Sequence, residues 1–185
     1  RTHEQLGYIV HSSLKTNGDA VKSLLFLIQS DSKDPTYLDS RIENFLDGFR
    51  SKMVKMSSEE FETNVEAVVQ TFLEKNKNLG EESGQYWNPI SNKTYLFKKR
   101  NLLATEVKDL SMFQVLQFFD KFIVKNAPRR KKISVQVFAL QHLEHYDDPV
   151  PESITLVRPE EVVDFKRSMS LYELPDKVDV ECYKI

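Results

Sequence analysis

Residues 6–30 read LGYIVHSSLKTNGDAVKSLLFLIQS, and the fold turns on how this stretch pairs with itself. Leu6 to Ser13 is apolar and strand-like. Asn17-Gly18 follows, a pair in which both residues tolerate positive φ and which therefore marks a hairpin turn. Beyond it the chain is continuously apolar from Leu24 to Ile28, the pattern of a strand buried on both faces. Two strands joined by a turn form the first unit.

Helical patterns follow the hairpin. Asp34-Pro35 reads as an N-cap with proline in the first turn, and Ile42, Phe45, Leu46, Phe49 and Met53 fall on one stripe. Ser57-Ser58-Glu59-Glu60 is a capping box that opens a second helix with the stripe Phe61, Val65, Val68, Val69, Phe72 and Leu73. Both stripes are core packing rather than a ligand groove. LGEESGQYWNPI predicts a shorter helix that stops near Pro89, and KTYLFKKRNLLATEVKDL holds another. Ser111 with Gln114 is a second capping box, for a helix that runs through Ile123 and ends before Pro128. The basic turn PRRKK, placed to favour that helix's C-terminal dipole, leads into ISVQVFAL, where Ile133, Val135 and Val137 alternate as in a strand. From Gln141 to Pro159 the composition is polar and proline-rich, which predicts a loop or loose arm.

The order strand, strand, helices, strand, tail is α+β, a largely antiparallel sheet with several helices on one face. Residues 1–140 form the body, and residues 141–185 form a loop and C-terminal tail docking back on it. A three-stranded sheet with one strand buried on both faces is incomplete, which places its missing pieces upstream of Arg1 and predicts that the apolar strip exposed beside Leu24 to Ile28 makes the chain self-associate as a homo-oligomer or leaves it marginally stable.

Bulk properties narrow the function classes. The 185 residues, 40% hydrophobic and 29% charged, fit one globular domain with or without a tail. A net charge of −2 gives no bulk electrostatic reason to expect nucleic acid or a membrane surface as partner. The single cysteine, Cys182, rules out an internal disulfide framework and suits a reducing, cytoplasmic setting. Five glycines argue against Gly-rich phosphate loops.

The opening RTHEQLGYIV contains the candidate chemistry. Extended, its first eight residues would hold Arg1 and Tyr8 roughly 23 Å apart. If residues 1–6 end a helix and Gly7 is its left-handed C-terminal residue, the separation falls to about 10 Å. A permanent cation and a phenolic donor could then converge on one developing oxyanion. On spacing alone, an arginine on a solvated helix face and a tyrosine on a half-buried strand is the simpler arrangement.

RTHEQLGYIV resembles the RT-x-EQLGY-[IV]-V segment of the insulinase (pitrilysin) family of zinc peptidases, in particular the branch that degrades insulin-like peptides. FLIQSDSKDPTYLDSRIENFL, MSSEEFETNVEAV, QYWNPISNKTYLF, NAPRRKKISVQV and DFKRSMSLYELP resemble that branch in the same order, so the likeness spans essentially the whole chain and is weakest over residues 142–159. The resemblance implies the fourth, C-terminal unit, with its first strand and helix missing, of a chain of four homologous α+β units that enclose a chamber. The zinc, on an H-x-x-E-H motif, would lie in another unit, with none in this chain. Tyr8 and Arg1 match the tyrosine and arginine that hold the scissile peptide opposite the metal. Lys75 and Lys77 match part of a basic patch that binds ATP and other polyanions, thinned here because Asn78 stands where a third lysine would be. The implied partners are the remaining domains of the same peptidase and a peptide substrate. A non-catalytic binding or assembly module of the same fold is the alternative, and a free-standing polyanion-binding domain is a third reading.

Two motifs invite a site and do not make one. His142-Leu143-Glu144-His145 is one residue short of H-x-x-E-H and sits in a segment without helical character, so it reads as a surface histidine pair. Cys182-Tyr183-Lys184-Ile185 has Lys184 where a prenylation signal needs an aliphatic residue.

Overall fold

The computed structural model describes residues 7–17 and 21–170. Strands β1 (Ile9–Asn17) and β2 (Val21–Gln29) pair antiparallel, in a register from Ile9 opposite Gln29 to Asn17 opposite Val21. The predicted hairpin is therefore present, while residues 18–20 lie outside the described residues. Six α-helices follow: α1 (Pro35–Val54), α2 (Ser58–Leu73), α3 (Leu79–Ser91), α4 (Lys99–Lys108), α5 (Met112–Phe122) and α6 (Val162–Ser168). The architecture is α+β.

The helix starts are encoded locally. Asp34 accepts the Tyr37 N–H at 2.9 Å and Pro35 occupies the first helical position of α1. Ser57 accepts the Glu60 N–H at 3.1 Å, but Glu60 does not return the bond to the cap, so the expected box is only half formed. At α5 the box is complete: Ser111 accepts from the Gln114 N–H and Gln114 accepts from the Ser111 N–H at 2.8 Å. Helix α3 runs two residues past Pro89. The Pro89 carbonyl accepts the N–H groups of Thr94 and Tyr95, and the chain leaves the helix through Lys93 and Tyr95 with φ of 56° and 53°.

The core sits where α1 and α5 meet, with one residue of β2 packed against it. Leu46 and Met53 of α1 and Phe119 of α5 are buried together, with Phe26 of β2 and Ile42, Val115, Leu116 and Ile123 packed around them. Beside this contact Arg50 of α1 donates to both Asp120 carboxylate oxygens at 2.6 and 2.8 Å. Helix α2 packs on α4, and Val69 and Ala104 are buried. The outer members of the predicted stripes, Phe45, Val68 and Leu73, remain exposed.

Two strand expectations are corrected. Leu24, Leu25 and Leu27 are 42%, 38% and 51% exposed, so β2 is not buried on both faces. Phe26 packs against the α1–α5 core, while Leu24 on the same face and Leu25 and Leu27 on the other stay exposed. Ile133, Val135 and Val137 belong to no strand of the described sheet, and Leu140 already opens a 3-10 helix.

The chain divides into two compact units between Gln136 and Val137. The second unit contains 3-10 helices at Leu140–His145 and Pro159–Glu161, and α6. Within it Tyr146 meets Phe138 edge-on at 5.6 Å, and the Arg158 guanidinium lies 4.2 Å from the Tyr146 ring centre.

Candidate functional site

Tyr8 stands just ahead of β1, its N–H donating to the Gln29 carbonyl at 2.7 Å. That bond carries the ladder one residue past the strand and fixes the tyrosine backbone at the hairpin's open end. The side chain is 74% exposed, and its hydroxyl has no partner among the described residues. A phenol held on an ordered backbone and left unpaired is able to donate to an incoming carbonyl.

Gly7 holds its place for a reason other than the one the sequence suggested. Its backbone is not left-handed; instead, a Cβ there would stand 2.8 Å from Val10 Cγ2 and 3.2 Å from Ile28 Cγ2. Glycine is required because the chain passes tightly over the side chains of the hairpin. Arg1 lies outside the described residues, so of the predicted pair only Tyr8 has a described position.

Lys75 and Lys77 share the short turn between α2 and α3. Lys77 pairs with Glu74 at 2.8 Å, a hydrogen bond and charge that raise the lysine pKa and lower that of the glutamate. Its N–H donates to Glu81 Oε2 at 2.8 Å. Asn78 caps α3 by accepting the Glu81 N–H at 2.9 Å, so the residue that thins the lysine patch is the helix N-cap. Lys75 is exposed, and its ammonium has no ion-pair partner among the described residues. No hydrogen bond or ion pair among the described residues joins Tyr8 to either lysine.

Sequence reasoning missed Arg100, which fixes this turn. From α4 it donates to the carbonyls of Phe72 at 2.8 Å and Glu74 at 2.6 Å, and to Asn76 Oδ1 at 3.0 Å. Its guanidinium thus satisfies the open carbonyl end of α2 while holding the loop that presents both lysines. No local pattern in KKRN announces a bond to residues more than twenty positions earlier.

The remaining charged motifs resolve into structure. Arg130 of PRRKK makes a two-pronged pair with Glu43 of α1 at 2.7 Å on each arm, rather than serving the C-terminus of α5 as predicted. Arg130, Lys132 and burial act together on Glu43: the Arg130 hydrogen bond lowers its pKa most, burial opposes, and Lys132 lowers it further, to about 2. His142 and His145 lie on a 3-10 helix, not in a plain loop, and His145 pairs with Asp148 at 3.0 Å. Among the described residues no three histidine, cysteine, aspartate or glutamate side chains gather to hold a metal ion. Cys182 lies outside the described residues.

Residues 1–87 match the model of domain 4 of the C-terminal lobe of PQQ synthase PqqF-like proteins. Over 93% of its length the chain is 38% identical to the peroxisomal insulin-degrading enzyme-like 1 of Arabidopsis thaliana. It is 32% identical over 94% of its length to the insulin-degrading enzyme of Mus musculus, and 37% identical over 75% to that of Homo sapiens. The chain belongs to the insulinase family. As an insulinase-family unit it corresponds to the C-terminal part of these relatives and spans less than a fifth of their length: 18% of the plant and mouse proteins and 13% of the human one. Among the described residues no helix is long and apolar enough to cross a membrane.

Proposed function

We propose that this chain is the non-catalytic C-terminal domain of a zinc metalloendopeptidase that cuts insulin-like peptides. It forms part of the chamber wall and supplies groups that hold the scissile carbonyl. The observation that carries this reading is the Tyr8 phenol, exposed and unpaired among the described residues, on a backbone fixed by the 2.7 Å bond to Gln29, in a chain matching insulin-degrading enzymes over more than nine-tenths of its length. Tyr8 donates a hydrogen bond to the carbonyl oxygen as it gains negative charge. Preorganised donors of this kind typically supply about 2.7–4 kcal/mol of transition-state stabilisation, of which the lower end is about 100-fold in rate. Arg1 steadies the same charge and orients the peptide.

Among the described residues no three potential ligands gather for a metal; in this reading the zinc is held by another part of the parent protein. This chain acts on the substrate and on the rest of its own polypeptide. Lys75 and Lys77 offer a weak site for ATP or another polyanion, since Lys77 is already engaged by Glu74. The setting is cytoplasmic; one relative is named as peroxisomal.

The test uses the parent enzyme and an insulin-like peptide. The 185-residue chain alone, with zinc supplied, shows no cleavage, while the parent cleaves and its Tyr8→Phe form loses about 100-fold in kcat/KM. Cleavage by the isolated chain, or a Tyr8→Phe parent within about twofold of wild type, contradicts the assignment.

A further inference from the structure

Helix α6 is held by little. None of its seven residues is buried, and no side chain caps its N-terminus. Every residue from 163 to 170 is exposed. An isolated helix needs roughly 12–15 residues to persist in water, so a shorter one without a buried face opens at small cost. The Arg167–Asp164 pair along it spans 3.5 Å with side chains 78% and 83% exposed, where such pairs add little. Two serines stand at its end and differ in state. Ser168 Oγ donates to the Phe165 carbonyl at 2.8 Å. Ser170 lies two residues past the helix, exposed, and its hydroxyl has no partner among the described residues. Arg167 precedes Ser170 by three residues and Phe165 precedes it by five; no other serine or threonine in the sequence follows an arginine by three.

We propose that Ser170 is a phosphorylation site for a basophilic serine/threonine protein kinase. Such an enzyme binds its target as an extended chain and holds an arginine upstream of the serine with its own carboxylates. Once α6 opens, Arg167 stands about 10 Å along the chain from Ser170, and Phe165 shares a face with Arg167 as an apolar anchor. The weak Asp164 contact leaves the guanidinium available to the kinase. Ser170 Oγ attacks the γ-phosphorus of ATP. The new O–P bond forms as the bond to the bridging oxygen breaks, ADP leaves with that electron pair, and the serine proton passes to a kinase carboxylate. Ser168 is excluded, since Phe165 occupies the position where it would need the arginine and its hydroxyl is already engaged.

The test incubates the full-length parent protein with MgATP and a calmodulin-dependent protein kinase carrying Ca2+ and calmodulin, and maps the phosphate by peptide mass spectrometry. The phosphate is on Ser170 and absent from Ser168. Arg167→Ala lowers the kinase's kcat/KM for the parent at least about 10-fold, whereas Asp164→Ala does not lower it. Both changes fall on exposed side chains, so the fold is unaffected. An unmodified Ser170, phosphate on Ser168 instead, or an Arg167→Ala parent within about twofold of wild type overturns the proposal. Phosphate that appears on Ser170 only in the isolated 185-residue chain overturns it as well, because another part of the parent then covers the site.

Discussion

Replacing Glu43 with glutamine probes the strap between α1 and residues 130–134. The Glu43 and Arg130 side chains are only 13% and 16% exposed, so water screens the pair weakly. Lowering the carboxyl from 4.5 to about 2 corresponds to roughly 3 kcal/mol of preference for the ionised form in the folded chain. Glutamine keeps an acceptor for Arg130 but removes the charge, so Glu43→Gln costs about 2–3 kcal/mol at pH 7. In a chain of this length that lowers Tm by about 4–12 °C. Because the folded pKa is depressed, the stabilisation is fully present above the unfolded value of 4.5 and is lost as pH falls through about 2. Urea unfolding of wild type and Glu43→Gln across this range therefore shows a gap that is constant from pH 7 to about 5 and shrinks below about 1 kcal/mol near pH 2. A gap under about 0.5 kcal/mol at pH 7, or one equally large at pH 2, refutes the assignment.

Other outcomes follow from the same geometry. Arg100→Ala removes three short bonds to the turn after α2, so it destabilises by roughly 2–3 kcal/mol and accelerates amide exchange around residues 74–78; unchanged exchange there contradicts the role given to Arg100. Ser57→Ala costs about 1 kcal/mol while Glu60→Ala costs a few tenths, because only the serine half of that box is formed; equal losses in urea melts show a reciprocal bond in solution. Met53→Ala, at a site 5% exposed, costs about 2–4 kcal/mol by urea unfolding, and a loss under 1 kcal/mol places Met53 outside the core.

What the sequence made legible was local. Asp34, Ser57 and Ser111 each announce a helix start because a short polar side chain reaches an N–H three residues on, a contact that depends on nothing else in the fold. The hairpin was legible for the same reason: its strands are neighbours along the chain. Leu24 to Ile28 misled because an apolar run records what a strand could bury, whereas its exposure depends on which layers are present. ISVQVFAL shows the same limit, having a strand's alternation but no ladder partner among the described residues. Charged side chains were the least readable. Arg100 and Arg130 look like surface residues in KKRN and PRRKK, and their partners at Phe72 and Glu43 become neighbours only after the helices pack. Gly7 was singled out correctly as a geometric residue, but its constraint is the side chain of Val10 rather than a left-handed turn.

The role of the phenol at the hairpin's open end is tested most directly by separating kcat from KM for the Tyr8→Phe parent enzyme on an insulin-like peptide, with its melting curve as a folding control. A hydrogen bond made chiefly in the transition state predicts a fall in kcat of about 100-fold with KM within about twofold and the melting temperature unchanged. An unchanged kcat, or a loss confined to KM, contradicts the part assigned to Tyr8.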